Sequence, residues 1–270
     1  MKYPFSVLLS VYHKEYPNYL RESLDSVLCQ TLPPDEVVIV KDGPLTDELE
    51  AVLADFTARY PIIKIVPLEK NVGLGSALNE GLRHCSHDLV ARMDTDDISK
   101  PERFEKQIRF MAEHPEVDVC SAWIEEFETD TAHVHSIKKV PETHEEIMRY
   151  AKYRSPINHA VAVYRKEAVL KAGGYSGFPE DYYLWVKMLL AGAKCYNLQE
   201  SLYYCRFSQE LIKRRGGWWC AKADVRSELD FYKMGFISLP LLVYNVIIRV
   251  TVRLTPPSVR TFIYKRLLRK

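Results

Sequence analysis

No Cys-x-x-Cys pair, no Cys/His spacing of a zinc site and no Walker A loop occur in these 270 residues. Those absences argue against a zinc ribbon, a thioredoxin-like redox pair and a P-loop nucleotidase. A nucleophile elbow is also missing, which removes the α/β-hydrolase reading. The six cysteines (Cys29, Cys85, Cys120, Cys195, Cys205 and Cys220) are scattered, several of them on apolar faces. They read as reduced core residues of a cytosolic protein. Net charge is nearly absent, with 37 Lys and Arg against 36 Asp and Glu, so bulk electrostatics suggests no nucleic-acid partner. The apolar stretch Phe236–Ile248 contains Ser, Pro and Asn and falls short of the roughly 20 residues needed to span a bilayer. Met1–Tyr12 has one Lys, a short apolar run and no small-residue cleavage site, so it reads as a strand rather than a leader.

What is present is ordinary globular material, 47% apolar and 27% charged, enough for one large or two small domains. The charge is unevenly spread. After Asp230 the chain has eight Lys or Arg and no acid. Strand-like runs alternate with helical ones. Phe5–Tyr12, Glu36–Val40, Ile62–Leu68 and Leu89–Met93 read as buried strands. Between them lie helices, one capped by Asn18 with Leu20, Leu24, Val27 and Leu28, one with Leu49, Val52, Leu53 and Phe56, and one with Ala77, Leu78, Leu82 and Cys85. Further on, Pro101 is expected to start a helix, Val117–Trp123 a strand, and residues 125–141 an irregular, mobile loop. Thr143-x-x-Glu146 signals a capping box, Ala160–Tyr164 a strand, Gly173-Gly174 a break, and Glu180 the start of a helix with Leu184, Trp185, Met188 and Leu189 inside. The alternation predicts an α/β fold, a mostly parallel sheet with helices on both faces. Ligands of such sheets sit at the carboxyl ends of the strands. Tyr12, Asp42, Asn71 and Asp94 all follow strand ends and are therefore expected to share one crevice.

The run Leu89-Val-Ala-Arg92-Met-Asp94-Thr95-Asp96-Asp97 drives a buried strand into three carboxylates. Clustered acids repel unless a positive charge sits among them, and Mg²⁺ or Mn²⁺ prefers such oxygen ligands. A solvated turn ahead of the next helix has the same composition, and the motif alone leaves both readings open. Glu180 and Asp181 suit the first turn of a helix, with or without a chemical role. Gly73-Leu-Gly75 has no third glycine, since Leu78 stands there, so the dinucleotide fingerprint fails.

Taken together, the ordered pieces resemble the family-2 glycosyltransferases, inverting nucleotide-sugar-dependent enzymes of the GT-A fold. The resemblance covers residues 4–206. It rests on Ser10-Val-Tyr12 with Glu15, Ser26-Val-Leu-x-Gln30-Thr, Val40-Lys-Asp42-Gly43 with Thr46-Asp47, Asn71-Val-Gly73 and Ala77-Leu-Asn79. It continues through Ala91-Arg92-Met-Asp94-Thr95-Asp96-Asp97, Pro101-x-Arg103, Pro156-Ile-Asn-His159, Gly174-Tyr175, Glu180-Asp181-Tyr-Tyr-Leu-Trp185 and Tyr204-Cys-Arg206. The sequence departs from the pattern at His13, Thr95 and Ala160. It also lacks a histidine at Phe207-Ser208, which leaves a third protein ligand to a metal in doubt.

The resemblance implies a GT-A glycosyltransferase domain at 1–230, with a nucleotide-sugar-binding half at 1–100 and an acceptor-binding half at 101–230; the amphipathic, basic residues 231–270 read as a C-terminal membrane-association segment. It implies metal ligation of Mn²⁺ or Mg²⁺ by Asp94 and Asp96, with Asp97 in support. Nucleotide-sugar contacts fall to Ser10, Tyr12, Glu15, Asp42, Asn71, Gly73, Arg92, Asp94 and Thr95. In these, Asp42 would accept from the base, which suits uracil, and Tyr12 would stack on it; Arg92 would reach a phosphate or pair with an acid. Asp181 would be the general base, with Glu180 as the alternative, and His159 and Arg206 would lie near acceptor or diphosphate. The implied reaction is transfer of a sugar, galactose from UDP-galactose as the best match, to a polyprenyl-diphosphate-linked saccharide during surface-polysaccharide assembly. Alternatives are a nucleotidyltransferase, whose glycine-rich N-terminal loop is missing at residues 9–20, and a silent nucleotide-sugar-binding subunit.

In the tail, Pro256-Pro257 separates two helices, the second with Val259, Phe262, Ile263 and Leu267 on one stripe among Arg260, Lys265, Arg266, Arg269 and Lys270. Such a helix can lie in a membrane interface or pack on the core with a solvated basic face. The first option predicts a cytoplasmic enzyme held peripherally on the inner face of the membrane.

Overall fold

The computed structural model describes residues 3–207, 216–256, 259, 260 and 263. The expected second tail helix lies almost wholly outside them. Nine strands run β1 (Phe5–Val11), β2 (Glu36–Lys41), β3 (Ile63–Pro67), β4 (Leu89–Arg92), β5 (Ile98–Ser99), β6 (Val119–Phe127), β7 (Ser136–Lys138), β8 (Val163–Arg165) and β9 (Cys195–Arg206). Their sheet order is β3-β2-β1-β4-β8-β6-β9-β5, with β7 on β6. The α/β expectation holds. The parallel part is β3-β2-β1-β4, followed by an antiparallel step from β4 to β8 and a mixed second half.

Helices are α1 (Pro17–Leu28), α2 (Asp47–Arg59), α3 (Leu74–His84), α4 (Arg103–Glu113), α5 (His144–Ala151), α6 (Lys166–Lys171), α7 (Glu180–Leu190), α8 (Trp218–Lys233) and α9 (Leu239–Leu254). Strand alternation sorts them onto two faces. Val7, Leu9, Val37 and Ile39 meet Leu24 of α1, Phe56 of α2 and Phe104 of α4. Leu8, Val38 and Val40 meet Leu82 of α3, Ile147 of α5 and Trp185 of α7. A one-residue slip of any central strand would exchange these faces, so the register is fixed by burial on both. The hairpin α8–α9 continues the second core, where Phe231 packs against the rings of Tyr182 and Tyr183.

Several boundaries differ from those read off the sequence. Asn18 does not cap α1; the helix already starts at Pro17, whose fixed φ suits a first helical position. Pro101 belongs to a turn, and α4 begins at Arg103. Ala160 and Val161 lie in a 3₁₀ turn, His159–Val161, and the strand is only Val163–Arg165. Residues 125–141 are not wholly irregular: β6 runs on to Phe127 and pairs with β7. The Thr143 capping box is formed, with the Thr143 side chain on the Glu146 N–H and the Glu146 carboxylate returning to Thr143.

One contact fixes how closely α3 lies on the sheet. A Cβ on Gly81 would stand 2.4 Å from Leu8 Cδ1 and 2.6 Å from Val40 Cγ2, both fully buried. Alanine would gain about 1 kcal/mol of helix propensity. Overpacking a rigid core costs about 1–3 kcal/mol, the larger effect. Gly81→Ala is therefore expected to lower Tm in thermal unfolding; an unchanged or raised Tm would show that α3 can lift off the sheet freely.

Candidate active site

The four parallel strands all end at one edge of the sheet, and the sequence-predicted residues gather there. Asp42 follows β2 and is buried. Its two carboxylate oxygens accept the backbone N–H groups of Val72 (2.7 Å) and Gly73 (3.1 Å), while Asn71 Nδ2 donates to the Asp42 carbonyl at 3.2 Å. One buried acid thus holds the loop between β3 and α3. Tyr12 stands half-buried after β1, its ring edge-on to His13 at 5.7 Å. The Tyr12 carbonyl accepts the Glu15 N–H, which turns Glu15 inward. Glu15 then accepts from Thr95 Oγ1 at 2.6 Å, and that hydroxyl also lies 3.5 Å from the Ser10 carbonyl.

The acid motif follows β4. Asp94 is tied by its N–H to Tyr203 Oη (3.2 Å) and by its carbonyl to Ser23 Oγ (2.9 Å). Its carboxylate pairs with Arg92 Nη2 at 2.6 Å. Arg92 is 1% exposed. Of the two roles open to it, the acid-pairing one is the one formed. Burial disfavours its charge, but Asp94 and the phenols of Tyr203 and Tyr175 hold it protonated. Arg92 Nε and Nη1 are buried without a hydrogen-bond partner. Beneath the motif, fully buried Arg103 donates to the Arg92 carbonyl (2.6 Å), Ser99 Oγ (2.9 Å) and Gln107 Oε1 (3.0 Å).

Asp97 accepts the Arg206 N–H at 2.6 Å and is buried. Burial first, then the charges of Asp96 and Asp94, push its carboxyl well above the usual range. Asp96 is pushed up to about 7, by burial and then by Asp94 and Glu15. Among the described residues no side chain pairs with the Asp96 carboxylate, and no three His, Cys, Asp or Glu groups converge as a metal site on their own. Asp94, paired with Arg92, and Asp96, which has no pairing side chain among the described residues, thus offer hard oxygen ligands, a donor set that fits Mg²⁺ or Mn²⁺ if a ligand supplies further oxygens.

Glu180 and Asp181 open α7, whose first turn lies on that of α3: a Cβ at Gly75 would be 3.1 Å from Glu180 Cβ. Asn79 fixes the approach, donating to the Tyr175 carbonyl and accepting the Tyr175 N–H, both at 2.8 Å. Burial and the neighbouring Asp181 raise the Glu180 carboxyl. His159 Nε2 meets Tyr175 Oη at 2.9 Å and its ring lies 5.9 Å from Trp185; burial, then Arg92 and Lys138, keep it neutral. Arg206, expected near the acceptor or diphosphate, is engaged elsewhere. Its Nη2 meets Glu22 at 2.5 Å, Nε donates to the Asp96 carbonyl at 2.9 Å, and the guanidinium lies 3.8 Å over the Tyr19 ring. It shapes the acid loop from behind. The supporting residues Tyr203, Ser23 and Glu22 escaped sequence reading, and Tyr175 figures in it only within Gly174-Tyr175.

The strand-end cleft and its acid motif define a nucleotide-sugar transferase class. Solved structures of this shape include Staphylococcus aureus TarS in complex with UDP-GlcNAc (TM-score 0.64, 20% identity, covering 84% of this chain and 66% of that one). Another is the mannosyltransferase PcManGT from Pyrobaculum calidifontis with GDP-Man and Mn²⁺ (TM-score 0.64, 16% identity, covering 99% and 81%). At such identities they speak for the fold. The profile described as Glycosyl transferase family 2 matches residues 6–173, and the chain belongs to that family. Among its relatives are the Escherichia coli UDP-Gal:alpha-D-GlcNAc-diphosphoundecaprenol beta-1,3-galactosyltransferase, 44% identical over 98% of this chain and 97% of that protein, and the amylovoran biosynthesis glycosyltransferase AmsE of Erwinia amylovora, 42% identical over 97% and 98%. The chain is a glycosyltransferase of the hexosyl-transferring kind.

The Asp96 shift has a signed consequence. A carboxyl raised in the fold contributes stability below its unfolded pKa of about 4, and that contribution is lost as pH rises through about 7. With chelator present, Asp96→Asn should therefore raise Tm over wild type at pH 8 and make little difference at pH 5. Equal effects at both pH values in a differential scanning experiment would show that Asp96 is not perturbed.

Proposed function

We propose that this protein is an inverting galactosyltransferase that moves galactose from UDP-galactose to a saccharide carried on polyprenyl diphosphate, in bacterial surface-polysaccharide assembly. The observation that carries the reading is that two acid groups lie within electrostatic reach of each other: Glu180, beside Asp181 at the start of α7, is raised by burial, then by Asp181, and in part by the charge of Asp94 after β4. The name of the 44%-identical relative supplies the donor and the acceptor class.

In this reading Tyr12 stacks on uracil, and Asp42, through the loop that it clamps, brings Asn71 and Gly73 to the nucleotide. Ser10, Glu15 and Thr95 hold the wall beside the ribose. Asp94 and Asp96 hold the divalent cation, which when bound offsets the charge of the departing diphosphate as a Lewis acid. Arg92 orients Asp94. Asp181 accepts the proton of the acceptor hydroxyl as its oxygen attacks the anomeric carbon opposite UDP. That single displacement inverts the centre and needs one base. Glu180, whose proton is held more tightly, hydrogen-bonds acceptor hydroxyls.

A peripheral membrane site is part of the same proposal. No described helix is long and apolar enough to cross a membrane. Yet α9 exposes Leu239, Val243, Tyr244, Ile247 and Ile248, each about half accessible, while burying Leu242 and Asn245. An apolar face of that kind, followed by a tail with basic residues and no acids, suits the interface of an anionic membrane on the cytoplasmic side.

Two experiments test the reading. Asp181→Asn should lower galactose transfer by at least about 10²-fold while UDP affinity in calorimetry with Mn²⁺ stays near wild type; wild-type turnover would remove Asp181 as the base. Val243→Asp combined with Ile247→Asp should release the protein from vesicles of anionic lipid in a flotation assay. Retained flotation would remove α9 from the membrane contact.

A further inference from the structure

Phe178 and Trp219 form an exposed aromatic pair that the donor site does not use. Their ring centroids lie 5.0 Å apart with planes 59° from each other. Phe178 is 48% exposed and Trp219 68%, and Trp218 beside it is 66% exposed. Two residues stand between Phe178 and Asp181, so their Cα atoms are at most about 11 Å apart. Two large rings left in water at that distance from a base have an unmet apolar demand. Two aromatic faces inclined at 59° beside carboxylates suit a pyranose, whose C–H face meets one electron-rich ring face while its hydroxyls turn to hydrogen-bond acceptors such as Glu180. Trp218, on the next position of α8, borders a cavity of about 370 Å³ between α8 and α9. Leu229 and Val250 give that cavity an apolar wall, and Lys222 and Arg226 give it cations. Asp230, also at this cavity, is bonded to Tyr183 Oη at 2.7 Å.

We propose that this side of α8 is the acceptor track of the enzyme, with the acceptor sugar on the Phe178–Trp219 pair, the lipid diphosphate at Lys222 and Arg226, and the first part of the hydrocarbon chain against Leu229 and Val250. The inference rests on the lipid-linked acceptor proposed above and assigns it residues. The order is chemically consistent, because Trp219, then Lys222 and Arg226, then Leu229 follow one another along α8 as sugar, diphosphate and lipid do in the acceptor. The cavity size falls within the range of small-ligand sites.

The test uses the full chain with UDP-galactose, Mn²⁺ and two water-soluble acceptors, N-acetylglucosaminyl diphosphate bearing a short alkyl chain and the corresponding alkyl glycoside without diphosphate. Trp219→Ala should raise KM for both acceptors about tenfold with kcat at saturation unchanged, and Trp219→Phe should restore most of the loss. Lys222→Ala with Arg226→Ala should raise KM for the diphosphate acceptor alone. Unchanged KM for both acceptors in Trp219→Ala overturns the platform, as does a loss seen only with vesicle-bound acceptor and matched by lost vesicle binding. Equal losses for both acceptors in the double variant overturn the diphosphate contact. If wild-type enzyme hydrolyses UDP-galactose but transfers to neither acceptor, the proposed acceptor falls and the track falls with it.

Discussion

Everything at the strand edge depends on how the protein tolerates Asp94, Asp96 and Asp97 after β4 and Glu15 after the neighbouring β1. Unpaired carboxylates in such a place would ordinarily take up protons. Two buried cations, Arg92 and Arg103, lie under them. Arg92 meets Asp94 directly, and Arg103 holds the Arg92 carbonyl and so the strand end itself. Burial brings Arg103 down to about 10, which still leaves it charged at neutral pH. Removing Arg92 would leave the half-buried Asp94 without its partner, and removing Arg103 would leave the Arg92 carbonyl in the core without its donor. The compensation is partial by design of position: Asp94 is paired and Asp96 is not. The uncompensated carboxylate is the one best placed for a cation.

The second constraint is backbone geometry at the other strand ends. Asp42 spends its carboxylate on two N–H groups of the following loop, so it works first as a clamp. Any base contact must come from the lone pairs that remain. Asn79 does the equivalent for the Tyr175 segment and draws α7 against α3. These are buried or half-buried polar contacts whose loss leaves donors unsatisfied, and such losses are costly. They explain why short polar residues at Asp42, Asn71 and Asn79 recur in the recognisable pieces of the sequence. Each ties together segments far apart in the chain.

The layout was legible where a single element carried the signal. Short, largely apolar runs marked β1 and β2, helical spacing marked α3 and α7, and Thr143 with Glu146 announced α5. The strand-end rule then brought Tyr12, Asp42, Asn71 and Asp94 to one edge without any three-dimensional information. Reading failed where tertiary partners decide. Asn18 looked like a cap, but Pro17 had already set the helix start. The 125–141 stretch looked irregular because β7 has only three residues and gains its order from pairing with β6. Arg206 looked like a ligand residue because a cation near acids is ambiguous in one dimension; only its contacts with Glu22 and Tyr19 reveal a structural task. Tyr203 could not be read at all, since its hydroxyl matters through Asp94, more than a hundred residues earlier.

The hairpin α8–α9 bears on the same chemistry from outside the strand edge. Phe231 packs on Tyr182 and Tyr183, the two residues that follow Asp181, so the hairpin and the start of α7 share one core. Tyr183 Oη donates to Asp230, adding a polar tie to the apolar one. The hairpin itself is held by Arg253 on Asp224 at 2.6 Å and by Asn245 on Glu228 at 2.8 Å, both reaching buried acids. A surface element anchored this way moves with the helix that carries the carboxylates. Whatever meets the exposed side of α8 and α9, whether lipid or acceptor, is therefore presented to Asp181 at a fixed distance. The resulting division of labour is electrostatic as well as spatial. The acid-rich strand edge gathers carboxylates, and the hairpin gathers exposed apolar surface with lysine and arginine side chains.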